Sequence, residues 1–182
     1  ADFIGPDTDI PAPDVNTNPR VMGWMADQYR IITRAHRPDV ITGKPVEVGG
    51  SAGRTTATGD GAFHVLKTMM ARWEREAEGT TVAVQGFGNA GVRFARLAAE
   101  AGYTVVAVSD SSGGIHNENG LDLDAVEKAK TEHGSVTAAE GDQISNADLI
   151  TLDVDILAPA ALESVITEDN ADQVRAGVIV EI

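Results

Sequence analysis

The chain has 182 residues, 42% hydrophobic and 23% charged, a balance that suits one folded domain with a sizeable core and part of a second. Its 14 Lys+Arg stand against 28 Asp+Glu, a formal net charge of −14, so polyanions are repelled and nucleic-acid binding is not expected. With no cysteine, and with His36, His64, His116 and His133 far apart, disulfides, thiolate chemistry and a metal site are not expected either.

In chain order, Val21, Trp24, Met25, Tyr29 and Ile32 fall at helical spacing behind Asn18 and Pro19, predicting a capped helix to about Thr33. The stretch from Arg37 to Gly61 holds Gly43, Pro45, Gly49, Gly50, Gly53 and Gly59 and is expected to be a long loop or interdomain hinge. A second amphipathic helix is predicted with Ala62, Val65, Leu66, Met69 and Trp73 on one stripe, ended by Gly79. Beyond it the pattern alternates. Residues 81–84 and 104–108 read as buried strands around a helix from Val92 to Ala101, which is a βαβ unit. A turn at Asn119-Gly120 precedes a helix over Asp122–His133. The period does not decide residues 145–152 between helix and strand. Residues 154–157 and 178–180 are further strand candidates, separated by a helical segment capped near Thr167. The implied fold is α/β, a doubly wound, mostly parallel Rossmann-type sheet preceded by a helical and loop segment. No apolar run approaches the roughly 20 residues that span a bilayer, and the first residues resemble no secretory signal. A cytoplasmic setting without membrane partners is therefore expected.

The strand ending at Gln85 runs into Gly86-Phe87-Gly88-Asn89-Ala90-Gly91, which opens a helix. This is G-x-G-x-x-G in the context that dinucleotide binding requires. Gly86 allows the tight turn, Gly88 the approach of a pyrophosphate, and Gly91 close packing of helix on strand. Asp110 closes the second strand 19 residues beyond Gly91, where a carboxylate can accept hydrogen bonds from a ribose. Its charge disfavours a 2′-phosphate and no basic residue is near it in sequence, which leans the cofactor expectation toward NAD over NADP.

Four motifs together resemble the NAD(P)-dependent glutamate dehydrogenases: Pro11-Ala12-Pro13-Asp14-Val15-Asn16-Thr17; Thr42-Gly43-Lys44-Pro45 continuing to Gly49-Gly50-Ser51, Arg54 and Ala57-Thr58-Gly59; the turn Gly86–Gly91; and Asp155-Ile156-Leu157-Ala158-Pro159-Ala160-Ala161-Leu162. The resemblance implies oxidative deamination of L-glutamate to 2-oxoglutarate and ammonium with hydride transfer to NAD or NADP, in a homo-hexamer. It implies that residues 1–57 are the edge of a substrate domain and hinge, and that 58–182 are a dinucleotide-binding domain truncated at its C-terminus. Asp14 matches the family's catalytic aspartate, a role a carboxylate can fill by shuttling protons; the alternative is a turn cap. Arg54 matches a substrate-carboxylate contact. Thr58 matches a cofactor contact, with helix N-capping as its structural alternative. The resemblance assigns cofactor contacts also to Gly86, Phe87, Gly88, Asn89, Gly91, Asp110 and Ala158.

The family's essential lysine lies in a glycine-rich stretch upstream of Pro-Ala-Pro-Asp. Lys44, Lys67, Lys128 and Lys130 are the chain's four lysines and occupy no such context. The chain alone is therefore expected to be a fragment that binds dinucleotide without turnover. A binding module without catalysis and a dehydrogenase of another L-amino acid are the alternative readings. The acidic composition, with ten arginines to four lysines, adds the expectation of a halophilic member.

Overall fold

The structure, a computed structural model, describes residues 3–14 and 16–182; Val15 of the first motif lies outside them. The chain divides into two compact units, residues 1–55 and 56–182.

In the first unit, helix α1 (Pro19–Thr33) begins where its caps predict: the Asn18 side chain accepts from the Val21 N–H at 3.1 Å, and Pro19 occupies the first turn. The expected apolar stripe is rotated. Met22 is the buried residue, packed with Val40 and Ile41 and flanked by Val21, Ala26 and Tyr29, whereas Trp24, Ile31 and Ile32 are exposed. The packing partner is the 3-10 turn Pro38–Val40 and the residue after it, which select the 22/26/29 face of the helix. Buried Lys44 ties this turn down by donating to the carbonyls of Pro38 and Ile41.

The second unit is a six-stranded sheet in the order β4-β3-β2-β1-β5-β6: β1 (Thr81–Gln85), β2 (Thr104–Asp110), β3 (Gly113–His116), β4 (Asp142–Ile144), β5 (Ile156–Pro159) and β6 (Val178–Ile179). Strands β2, β1, β5 and β6 are parallel; β3 and β4 extend the β2 edge in antiparallel fashion. This pair departs from the expected strands, because Gly113-Gly114 and Asp142-Gln143 carry none of the apolar alternation that marks a strand.

Helices α2 (Ala57–Arg72), α3 (Asn89–Glu100) and α4 (Leu123–His133) contribute to one core with Val82, Val84, Val105, Val108 and Ile156. The short helix α5 (Asn146–Ile150) contributes to a second core with Ala83, Val106, Ala107 and Leu157. The two cores share out the alternating residues of β1, which is the doubly wound arrangement. Within residues 145–152 the structure places a short helix, Asn146–Ile150, opened by a Ser145–Asp148 capping box. Hydrogen bonds from the Ser145 side chain and backbone hold the Asp148 carboxyl below its usual range.

Two helical expectations are corrected. Helix α2 starts at Ala57, so the anticipated loop ends earlier than Gly61. Its buried face is Gly59, Phe63, Leu66 and Met70, leaving Val65 and Trp73 exposed. The segment after Thr167 holds only a single 3-10 turn, Ala171–Gln173. Among the described residues no helix is long and apolar enough to cross a membrane, and no group of three or more His, Asp or Glu could hold a metal ion.

Candidate functional site

In the second unit, β1 leads through α3 to β2 on one side, while β5 pairs with β1 on the other. The carboxyl end of β1 is thus the switch point of the sheet, the place where open α/β sheets bind ligands. A cleft of about 460 Å³ opens there, lined by Gln85, Gly86, Gly88, Asp110, Lys130 and Ala160 among others.

The three glycines of the turn have different jobs. Gly86 has φ +89, and a Cβ on it would stand 2.5 Å from the Ala160 carbonyl oxygen. A Cβ on Gly91 would collide with the Gly86 carbonyl. Both positions are closed by the fold itself. Gly88 is open: a Cβ there meets nothing within 4 Å, so its smallness serves something beyond the chain. The Gly86 and Phe87 N–H groups donate to the Ser109 carbonyl at 3.0 and 2.7 Å. The next N–H groups, from Gly88 to Gly91, find no backbone acceptor among the described residues, and the first bond of α3 runs from Val92 to Gly88. Unengaged N–H groups at the positive end of a 12-residue helix suit a phosphate. The residues present therefore fit the pyrophosphate of a dinucleotide.

Phe87 is fully buried, with its N–H engaged as above and its carbonyl accepting from Lys130 Nζ at 2.6 Å. It anchors the turn and is among the residues that line the cleft. Asn89 is exposed as the first residue of α3. Ala158 lies inside β5, fully buried in the core on the α2/α3 side; the wall of the cleft is instead Ala160, Ala161 and Leu162. Thr58 is exposed within the first turn of α2, and Thr56 holds the N-cap position, so Thr58 does not cap this helix.

Asp110 is at the cleft but turned inward. Its Oδ1 accepts from the Ser112 N–H (2.9 Å) and the Ser135 hydroxyl (3.2 Å), and its Oδ2 from the Val136 N–H (2.9 Å). Only 8% of its side chain is exposed, and Lys130 Nζ stands 3.9 Å from Oδ2. The carboxylate thus fixes the loops after β2 and α4, with a cation beside it at the cleft wall. The sequence argument that Asp110 stands apart from basic residues fails here, because α4 brings Lys130 back from 20 residues away. A signal was present: Leu123 and Val126 mark the inward stripe of α4, and position 130 falls on it at i+7 carrying a lysine.

In the first unit, the two signature motifs lie side by side. Thr42 N–H donates to the Pro11 carbonyl at 3.0 Å, and Gly43, at φ +69, packs against the Pro13 ring where a Cβ would collide. Thr17 Oγ1 both accepts from the Asp14 N–H and donates to the Asp14 carbonyl, each at 2.7 Å. Asp14 is exposed at the head of this turn. Arg54 is exposed, with no carboxylate within ion-pair distance among the described residues.

Comparison with known proteins agrees with this architecture. The chain is 56% identical to the NADP-specific glutamate dehydrogenase of Synechocystis over 192 aligned positions, covering 100% of the chain and 45% of the relative. It is 51% identical to NADP-specific glutamate dehydrogenase A1 of Halobacterium salinarum, covering 98% of the chain and 43% of the relative. The hetero-hexameric glutamate dehydrogenase of Thermus thermophilus, solved in a leucine-bound form, matches with a TM-score of 0.91 at 37% identity, over 100% of this chain and 43% of that one. The chain thus spans less than half the length of these relatives. The family profile described as Glutamate/Leucine/Phenylalanine/Valine dehydrogenase matches residues 49–182, and the profile of that family's dimerisation domain matches residues 1–31. The chain belongs to the Glu/Leu/Phe/Val dehydrogenase family.

Proposed function

We propose that the protein takes part in NADP-linked oxidative deamination of L-glutamate to 2-oxoglutarate and ammonium, with residues 56–182 as its dinucleotide-binding domain and residues 1–55 as the edge of its substrate domain. The observation that carries this reading is the set of unengaged N–H groups over the open Gly88 at the switch point. When bound, the dinucleotide supplies the two-electron oxidant. The chain's own residues hold and orient. Gly88 to Gly91 present N–H donors to the pyrophosphate, and Arg54 offers a substrate carboxylate a bidentate guanidinium. Asp14 moves protons at the substrate amine and at water. The test is ammonium-dependent reduction of 2-oxoglutarate by the intact protein, run beside the 2-oxo acids of leucine, valine and phenylalanine. Faster turnover of an apolar 2-oxo acid would reassign the substrate, and dinucleotide binding without any turnover would leave a binding module. The assembly we propose is a homo-hexamer.

Lys130 turns the cofactor preference toward NADP. Its ammonium shares the cleft with the exposed Ser111 hydroxyl, while Asp110, whose charge would oppose a 2′-phosphate, is held inward. Replacing Lys130 by Met is expected to weaken NADPH binding about ten- to a hundredfold, the range of a charge-assisted hydrogen bond, and to change NADH binding far less. Equal losses for the two cofactors would reduce Lys130 to its tie on Phe87.

We also propose a salt-rich cytoplasm as the setting. The net charge of −14 repels itself in dilute buffer, and 1 M salt shortens the Debye length to about 3 Å. The melting temperature of the intact protein is expected to rise between low and molar KCl. A flat or falling curve would end the halophile reading.

A further inference from the structure

Two buried side-chain oxygens lack a hydrogen-bond partner among the described residues: Gln85 Oε1 and Ser109 Oγ. They are not scattered. Gln85 and Ser109 are register partners at the carboxyl ends of the parallel strands β1 and β2. Alternation along each strand puts them on the face of Ala83 and Ala107, which belong to the core that includes α5. Every other interior position of β1 and of β2 as far as Val108 is valine or alanine. A strand end needed only for packing would carry the same, because a buried polar atom without a partner is destabilising and rare. The Ser109 carbonyl already holds the Gly86 and Phe87 N–H groups, and Gln85, only 7% exposed, lines the cleft beside Gly88, Asn146 and Ala160.

We propose that Gln85 is a positioning residue for the dinucleotide, its amide oxygen completed by a ribose hydroxyl of the bound cofactor. The pyrophosphate offers no donor, so the hydrogen bond that a carbonyl oxygen needs comes from the sugar next to it. The end torsion of a glutamine side chain is broad and roughly two-fold; reversing the amide presents its oxygen to the cleft and turns its N–H donors toward the Ser109 side. The inference rests on the dinucleotide reading of the cleft.

The test compares the intact wild-type protein with Gln85→Met, which keeps the length of the side chain and removes both polar ends. The melting temperature without cofactor is expected to hold, since the length of the side chain is kept, while NADP(H) binding measured by calorimetry weakens about three- to tenfold, the worth of a neutral hydrogen bond. Unchanged affinity overturns the proposal. So does a lower melting temperature with unchanged affinity, the signature of an amide satisfied by a structural water. Should the Met variant not fold, Gln85→Leu decides: it too removes both polar ends and stays apolar, so binding is expected to weaken by the same three- to tenfold relative to wild type, about the worth of one neutral hydrogen bond. Normal binding by Gln85→Leu also overturns it. A wild-type protein that binds neither NADP(H) nor NAD(H) refutes the dinucleotide reading itself, whereas binding by wild type and equal binding by the variants refutes only the role of Gln85.

Discussion

Replacing Gly88 by Val is expected to abolish measurable dinucleotide binding while leaving the melting temperature within a few degrees of the wild-type value. A Cβ at this position meets nothing within 4 Å, so the free protein has room for the side chain. The same space is where a pyrophosphate would approach the N–H groups of Gly88 to Gly91, and branched methyls there would keep it out of hydrogen-bonding range. Gly91→Ala is expected to do the opposite. Its Cβ collides with the Gly86 carbonyl, and the wall behind it is Val84. Strand and helix must then separate, and overpacking of this kind typically costs about 1–3 kcal/mol, seen as a lower melting temperature. Calorimetric titration and thermal unfolding of both variants check the pair. Normal binding by Gly88→Val would remove the turn from the site, and an unperturbed fold in Gly91→Ala would show that the helix does not need its close approach to β1.

The division of labour among these glycines shows how far the sequence carries. The G-x-G-x-x-G spacing is a local signal, and so are the apolar runs at 81–84 and 104–108; a strand, a turn and a helix in that order can be read without knowing what they touch. Which N–H groups stay unengaged depends on Ser109, 22 residues beyond Phe87 and joined to it only by sheet pairing. Lys130 is further still, and its approach to Phe87 and Asp110 exists only once α4 packs on the same face of the sheet as α3. Helix faces fail for a related reason. Both α1 and α2 carry enough apolar residues to offer two stripes, and periodicity cannot choose between them. The choice is made by a partner: the Pro38–Ile41 segment takes Met22, and a Cβ on Gly59 of α2 would meet Ala90 and Arg93 of α3 at 2.7 Å. The β3–β4 edge escapes periodicity because each strand offers a single isoleucine among glycine and polar residues, too little to show alternation. Local chemistry was therefore legible, and geometry that arises from packing was not.

Replacing Asp14 by Asn in the intact protein is expected to slow the chemical step about 10²- to 10⁴-fold, the usual contribution of a positioned acid or base, while cofactor affinity stays near wild type. The main-chain bonds of the turn survive the substitution. Thr17 closes it through the main-chain N–H and carbonyl of Asp14, at 2.7 Å each, and its own N–H bonds to the same carbonyl at 2.9 Å; an asparagine preserves all three. Thr42 and Gly43 meet Pro11 and Pro13 just upstream, so the segment is braced against the Thr-Gly-Lys-Pro motif independently of the carboxylate. What the substitution removes is the negative charge and its capacity to hold a proton, which interconversion of amine, imine and oxo acid requires. Single-turnover measurement separates this loss from slow product release, and dinucleotide titration of the same variant separates it from misfolding. Near-normal single-turnover rates would make Asp14 a residue of the turn and nothing more, and the proton shuttle would then have to be sought in another side chain.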